Sequence, residues 1–537
     1  MAQLRGRGYD LPVQPAEPIP NSGFIRAHTV LSLAPGIAGD GIWWQEGRVR
    51  AVGRAEDLER RVPTRVPRYD LPGSIVTPGF VDGHTHLGMW AQGRGRVRLA
   101  GAQTRDEAVR RVAMGTAEQG WILGHGWDAN RWEAPPDRWS LDRVAAGPTY
   151  LESIDIHAGW ANTAALLAAG IDRNTPDPPG GRIVRDGLGE PTGLLLERAA
   201  QLVTAVLPAA APADLLAAVR DAQGVAHRLG ITGIHDVEGP DALRAFRALE
   251  AEGALRLRVL FSPPVAQLPA LLFHGARSGQ GSEWLTLGGV KIFLDGSLGS
   301  RTAWMLEPYE DGRDSGMPLA TEAEARSAVL QAAAGGLACA IHAIGDAAVR
   351  RALDLLADAP AALLPHRIEH FQCIHPQDLA RAGRAGVVAS MQPAHLPGDV
   401  GLAEERWGRR SHGAFAFRSL LQRGTVLAFG SDVPVVPLDP RQGVLAAMGR
   451  VASDGGFAGG WHPEERLTFE DVVRAYAEGN AVCAGAAGHR GRLVPGNDAD
   501  LVAWEVDPAV LQGDAGAFGE SRVELTVVGG EAVYRRE

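Results

Sequence analysis

Apolar residues recur in two rhythms along this chain of 537 residues. Near the start, Ala27 to Leu33 alternates and Gly41 to Val52 carries Trp43, Trp44, Val49 and Val52, a spacing that predicts short strands. Near the end, Asp500 to Glu505 and Val523 to Tyr534 repeat the pattern, with Gly529-Gly530 as the turn. Strands at both ends predict one small β-sandwich domain, built from 1–73 and 488–537, into which everything else is inserted. From 74 to 487, short apolar runs alternate with helical spacing, as parallel strands joined by crossover helices do. Eight runs read as strands: Ile75 to His84, Ile231 to Val237, Leu255 to Ser262, Val290 to Asp295, Leu337 to Ile344, Arg367 to Phe371, Val387 to Gln392 and Thr425 to Asp432. Between them lie helical patterns such as Asp346 to Asp358, where Val349, Leu353 and Leu356 share a face. The predicted fold class is α/β, a (β/α)8 barrel of the TIM type. About 88–225 is too long for one crossover and is expected to be an insertion after the first strand.

Composition narrows the function. The length exceeds one ordinary core and excludes a small binding module. Acidic residues outnumber basic ones by 63 to 53, so the chain lacks the cationic excess that nucleic acid or a membrane surface would require. Cys339, Cys373 and Cys483 form no CxxC pair, which argues against a disulfide framework or a thiolate zinc site and makes the cytoplasm the expected compartment. Met1 to Pro20 has no apolar core of a signal peptide, and no 18-residue apolar span follows. The basic residues are 52 arginines and one lysine, Lys291. A lone lysine in so arginine-rich a chain marks a position that arginine cannot serve.

Chemistry gathers at the predicted strand ends. The first strand finishes in Val-Asp-Gly-His84-Thr-His86, and residues i and i+2 of extended chain point the same way. Two imidazoles at that spacing are weak evidence alone, since polar loop residues give the same triplet. Further along stand Lys291 in strand four, His342 at the end of strand five, His370 at the end of strand six and Asp432 at the end of strand eight. In a closed barrel strand eight adjoins strand one, so six candidate ligands converge on the C-terminal face, where barrel enzymes place their sites.

With these residues in view, the chain resembles the amidohydrolase superfamily, and within it the amidohydrolase-3 family, whose members include formamide deformylases. The resemblance runs from TPGFVDGHTH (77–86) through GWD (126–128), GGRIVRD (180–186), VKIFLDGSLGSRT (290–302), HAIGD (342–346), RIEH (367–370), SMQP (390–393), FGSDVPV (429–435) and LTFEDVVRAYAEGNA (467–481) to GNDADLV (496–502). It implies two divalent metal ions: His84 and His86 on the more buried one, His342 and His370 on the other, and Lys291 between them as N6-carboxylysine. Asp432 would touch metal and move protons. The chemistry agrees, because a buried lysine can lose its proton and take up carbon dioxide whereas arginine stays protonated. Zinc suits this N/O set best, and manganese, iron and nickel are compatible with it. Lys291 as a plain ion-pair lysine is the rival reading.

Other polar residues near the strand ends have structural readings beside functional ones. Asp295, Asp346 and Glu369 read as hydrogen-bond acceptors that support ligands or fix loops. Arg301 reads as a substrate-oxyanion binder or a structural ion pair, and His235 and His395 as substrate or proton-shuttle residues. The insertion holds Trp121, Trp127, Trp132, Trp139 and Trp160, either core or an aromatic lid over the mouth, with His125, Asp128 and His157 as candidate lining. The reading that results is a metal-dependent hydrolase of a non-peptide amide C–N bond, of the N-acyl or N-formyl amine type, acting on a small molecule. A cyclic-amide or lactone hydrolase or a deaminase could use the same site. A metal-free binding or assembly protein would have no need of all six ligands, and a homo-oligomer is left open.

Overall fold

The computed structural model describes residues 19–312, 314–453, 455–457 and 459–537. The expectations for the first 18 residues lie outside the described residues. All eight expected parallel strands form: Phe80–Thr85, Ile231–Asp236, Arg258–Phe261, Val290–Phe293, Cys339–Ala343, Arg367–His370, Val388–Met391 and Val426–Phe429. Their ladders group them into two parallel sheets. One holds the first three with a short extra strand, Leu285–Leu287, and the other holds the remaining five in sequence order. The sheets meet at both edges. Gly288 and Gly289 separate Leu285–Leu287 from Val290–Phe293, where Lys291 bridges Pro264, and at the other edge Thr85 bridges Val433. Among the described residues the ladder round the eight strands is therefore joined by isolated bridges at these two points.

The apolar strand runs conceal a division by face. Val290 and Ile292, Ile341 and Ala343, Ile368, Ala389 and Met391, and Leu427 and Phe429 all enter the large core that the strands share with the helices. The alternate residues Lys291, His342, Arg367, Glu369 and Ser390 are equally buried but polar. Strands covered on both sides normally read as continuous apolar runs. Each polar residue here breaks its run at the period of two that turns it away from the helices.

One expectation changes. The first predicted strand is two strands: Arg68–Pro78 belongs to a different sheet, and Phe80 begins the parallel one. Gly79 is the joint, because a Cβ there would lie 2.3 Å from Thr232 Oγ1. Residues 74–78 therefore pair with Leu501–Glu505 and not with the parallel strands. In the expected small β domain, seven strands drawn from both ends of the chain are hydrogen-bonded in one order. Its core packs Ile25, Ile42 and Trp44 from one end against Leu501, Leu525 and Val527 from the other. Trp44 Nε1 donates across that core to Gly530 O at 2.9 Å.

The expected insertion holds a sheet of its own. Its six-stranded sheet spans Val97–Arg98 to Pro191–Glu197, while helices Leu87–Gly93 and Pro212–Arg228 pack on each other beside the parallel strands. Among the described residues no helix is long and apolar enough to cross a membrane, and all three cysteines are free and buried.

The Gly79 joint gives a test of this architecture. Gly79→Ala forces a methyl into Thr232 and should destabilise the fold by about 1–3 kcal/mol, the usual cost of overpacking. A denaturation midpoint equal to that of the unaltered protein would contradict the close approach at this joint.

Candidate metal centre

Backbone hydrogen bonds bring the first and eighth strand ends together. Asp432 N donates to His84 O at 2.7 Å and His86 N to Val433 O at 2.9 Å, while Asp82 Oδ1 accepts from Ser431 N at 2.7 Å. The approach is so close that a Cβ at Gly430 would lie 2.4 Å from His84 N. Two site residues adopt φ values that side chains rarely take, Asp432 at 63° and His370 at 67°. Strand alternation sends Ile368 to the helices and Glu369 inward. The reversal at His370 brings its ring back to 4.4 Å from that of His342 and 5.1 Å from that of His84.

Of the six residues proposed as ligands, four meet closely. Asp432 Oδ1 lies 3.2 Å from His86 Nε2 and 3.5 Å from His84 Nε2, and Lys291 Nζ lies 3.2 Å from that same His84 nitrogen. His370 Nδ1 is 4.0 Å from Asp432 Oδ2. His395, beyond strand seven, also has Nε2 4.0 Å from Asp432 Oδ2, so donor atoms suited to a metal form two groups, His84–His86–Asp432 and His370–His395–Asp432. His342 stands outside both groups, although its ring touches that of His370. Its Nε2 donates to Gly296 O at 3.1 Å, which leaves Nδ1 as its free acceptor nitrogen.

A buried carboxylate fixes the centre. Glu369 accepts from Arg367 Nε at 2.5 Å and Nη2 at 2.9 Å, and from His84 Nδ1 at 2.6 Å. That contact places the proton on Nδ1 and leaves His84 Nε2 bare toward Asp432 and Lys291. Burial would raise Glu369, but the Arg367 guanidinium outweighs it and holds the carboxyl well below its usual range. Burial lowers His84 to about 4 and puts His342 and His370 well below the ordinary imidazole value. These imidazoles are therefore neutral at pH 7, the form that binds metal. Burial also lowers Lys291 to about 8. It would raise Asp432, but the facing imidazoles of His84 and His86 hold it below the usual carboxylate range.

The donor set fits a divalent ion by an independent sign. His370 Nδ1 and Asp432 Oδ1 are buried without a hydrogen-bond partner. Leaving such atoms unsatisfied costs about 1–3 kcal/mol each, and a bound cation would satisfy both.

Asp432, His370 and His395 face a cavity of about 630 Å³, the size of a small-molecule site. Trp127, Asp128, His157 and Arg301 line it as well. Of the five tryptophans, Trp127 and Trp132 wall the cavity, each fixed through Nε1, to Leu151 O at 2.9 Å and Ala102 O at 3.0 Å. Trp160 and Trp121 pack in the insertion's cores, and Trp139 lies on the surface against Arg138. His125 bonds Gly93 O and does not line the cavity. His235 does not reach it either, because Arg367 Nη1 holds its Nδ1 at 2.7 Å inside the strands. Arg301 pairs with Asp311 at 2.6 Å and lies over Tyr309, so the structural ion pair is what forms. Asp295 and Asp346 accept loop amides, Asp295 from Trp304, Ile344 and Gly345 and Asp346 from Leu306, which is the supporting role read for them.

Sequence reasoning missed two carboxylates in the insertion. Glu197 Oε2 holds His157 Nδ1 at 2.9 Å, and Asp155 accepts from Ser297 and Ser300 of the DGSLGS stretch. Burial would lower His157, but Glu197 and Asp155 raise it to about 9, so it is a cation in the cavity wall at pH 7. The signal for Asp155 was the serines of that stretch, which lie over 140 positions from it, and the signal for Glu197 was Thr302, whose hydroxyl donates to it at 2.5 Å.

The architecture and donor set define a metal-dependent hydrolase. A sequence profile of the amidohydrolase family matches residues 69–534, and the chain belongs to that family. It is a hydrolase acting on carbon–nitrogen bonds other than peptide bonds. It is 30% identical to the protein YtcJ of Bacillus subtilis (strain 168), over 96% of this chain and 99% of that one. It is 27% identical to N-substituted formamide deformylase of Arthrobacter pascens, over 91% and 94%. The crystal structure of an uncharacterized metal-dependent hydrolase of Pyrococcus horikoshii OT3 superposes with a TM-score of 0.75 at 28% identity, covering 92% of this chain and 99% of that one.

The clamp on His84 can be tested directly. Glu369→Gln keeps the shape but removes the charge, and zinc affinity measured against a competing chelator should fall about 10- to 100-fold. An unchanged affinity would show that Glu369 does not orient the ligand.

Proposed function

We propose that the chain hydrolyses the C–N bond of small N-acyl amines, with N-formyl amines the leading class. The convergence of His84, His86, Lys291, His370 and Asp432 at the floor of a mostly apolar cavity carries this reading. The deformylase relative supports the formyl group, and the Trp127 and Trp132 wall suits a hydrophobic or aromatic substituent on nitrogen. Under this reading the eight parallel strands form one TIM-type barrel, closed through the Thr85–Val433 and Lys291–Pro264 bridges, and the seven-stranded sheet is a separate small domain from both chain ends. The protein would work in the cytoplasm.

Two divalent ions, zinc by preference, would be held by His84, His86, Asp432 and Lys291 on one side and by His342 and His370 on the other, with Lys291 as N6-carboxylysine. When bound, they supply Lewis-acid polarisation of the amide carbonyl and acidify water. Asp432 takes a proton from the attacking water and delivers it to the departing nitrogen. The C–N bond breaks, the acid keeps the water's oxygen, and the amine leaves with the proton. His157, held by Glu197, faces the substrate as a cationic donor to an oxygen that gathers negative charge.

A panel of N-formyl, N-acetyl and cyclic amides, lactones and aminopurines, assayed with zinc- and manganese-loaded protein, tests the substrate class. N-formyl amines with aromatic substituents should turn over fastest, and Asp432→Asn should lower kcat by about 10²- to 10⁴-fold. Turnover confined to cyclic amides, lactones or aminopurines would replace the proposed reading with ring hydrolysis or deamination.

A further inference from the structure

A second set of metal-type donors lies outside the cavity. Helix Leu396–Trp407 runs into the short 3-10 helix Gly408–Gly413, which carries His412. Across from it, His462 precedes the turn Pro463–Glu465, with Glu464 in that turn. The rings of His412 and His462 approach to 4.4 Å between centroids, tilted by 44°. One donor atom from each of His412, His462 and Glu464 lies within 4.8 Å of the others.

His462 is the odd member of this surface group. Its side chain is nine-tenths buried, its backbone has φ 47°, and its buried Nε2 has no hydrogen-bond partner. Carboxylates flank the ring on both sides, Glu464 Oε1 at 3.9 Å from Nδ1 and Glu404 Oε1 at 3.9 Å from Nε2. Both distances are too long for hydrogen bonds. Two ligands of one tetrahedral zinc ion, each about 2.0 Å from it, stand roughly 3.3 Å apart. Closing the 3.9 Å between His462 Nδ1 and Glu464 Oε1 to that separation takes a shift of about half an ångström, while Nε2, on the other edge of the ring, faces Glu404. Glu404 is already anchored, accepting from Trp461 Nε1 and Ser411 Oγ at 2.8 Å each.

We propose that His412, His462 and Glu464 form a second binding site, for a divalent transition-metal ion of the zinc class, separate from the centre at Asp432. Two imidazoles and a carboxylate are a borderline-soft set that favours zinc over calcium or magnesium. Three protein donors leave a position for water. The ion would fasten the C-terminal end of Leu396–Trp407 to the Trp461 segment. That helix contributes Asp399 and Leu402 to the cavity wall, so occupancy of the surface site braces the wall against which substrate packs. The inference does not depend on which amide is cleaved.

Because His412 and Glu464 are exposed, His412→Ala with Glu464→Gln leaves the fold undisturbed. Full-length protein loaded with zinc at the catalytic centre would be titrated with further Zn²⁺ by calorimetry, in parallel with the double variant. The unaltered protein should bind one more ion per chain than the variant, and excess zinc should raise its Tm but not that of the variant. Identical stoichiometry and isotherms for the two proteins would overturn the second site.

Discussion

Glu369 is fully buried between a guanidinium and an imidazole, and the arrangement of the strand ends follows from how that charge is held. Burying an ionised carboxylate costs several kcal/mol, and only a paired, well-bonded geometry offsets it. Arg367 answers with a two-pronged grip. The same guanidinium also reaches His235 Nδ1, Gly83 O and Ser390 Oγ, so one cation spans the first, second, sixth and seventh parallel strands. A register slip in the first, second or seventh strand would cost this cation its bond to Gly83 O, His235 Nδ1 or Ser390 Oγ, at about 1–3 kcal/mol for each buried group left unsatisfied. The clamp also fixes the tautomer of His84 and so decides which nitrogen faces Lys291 and Asp432.

Around that clamp the polar interior balances. Arg367 offsets Glu369, the imidazoles of His84 and His86 face Asp432, and burial lowers His84, His370 and Lys291 from their ordinary values. The strained φ values at His370 and Asp432 are the backbone's contribution, turning side chains back to the centre. The insertion adds the cavity wall and His157 but no member of either donor group at Asp432. The donor groups therefore sit on the strand ends, whereas part of the cavity wall sits on a separate sheet.

Much of this was legible because the chemistry interrupts apolar runs. Lys291, His342 and Glu369 stand out as polar residues in strands that otherwise read as core, and a solitary lysine among arginines singles out one position. The eight parallel strands followed from the same runs. What escaped the sequence depends on contacts between distant residues. Gly79 divides an unbroken apolar run into strands of two sheets because Thr232 lies against it, some 150 positions away. His235 and His395 both follow strand ends, and only packing shows that Arg367 draws one inward while the other faces Asp432.

The donors around Asp432 are proposed to bind metal, with Lys291 carboxylated between the ions. Anomalous diffraction at the zinc edge, from crystals grown with zinc and bicarbonate, tests this most directly. The account predicts anomalous peaks within about 2.3 Å of His84, His86 and Asp432 atoms, and density for a carboxyl group on Lys291 Nζ. Crystals of zinc-dependent active protein with no ion at these residues, or with a bare lysine beside a bound ion, would contradict it.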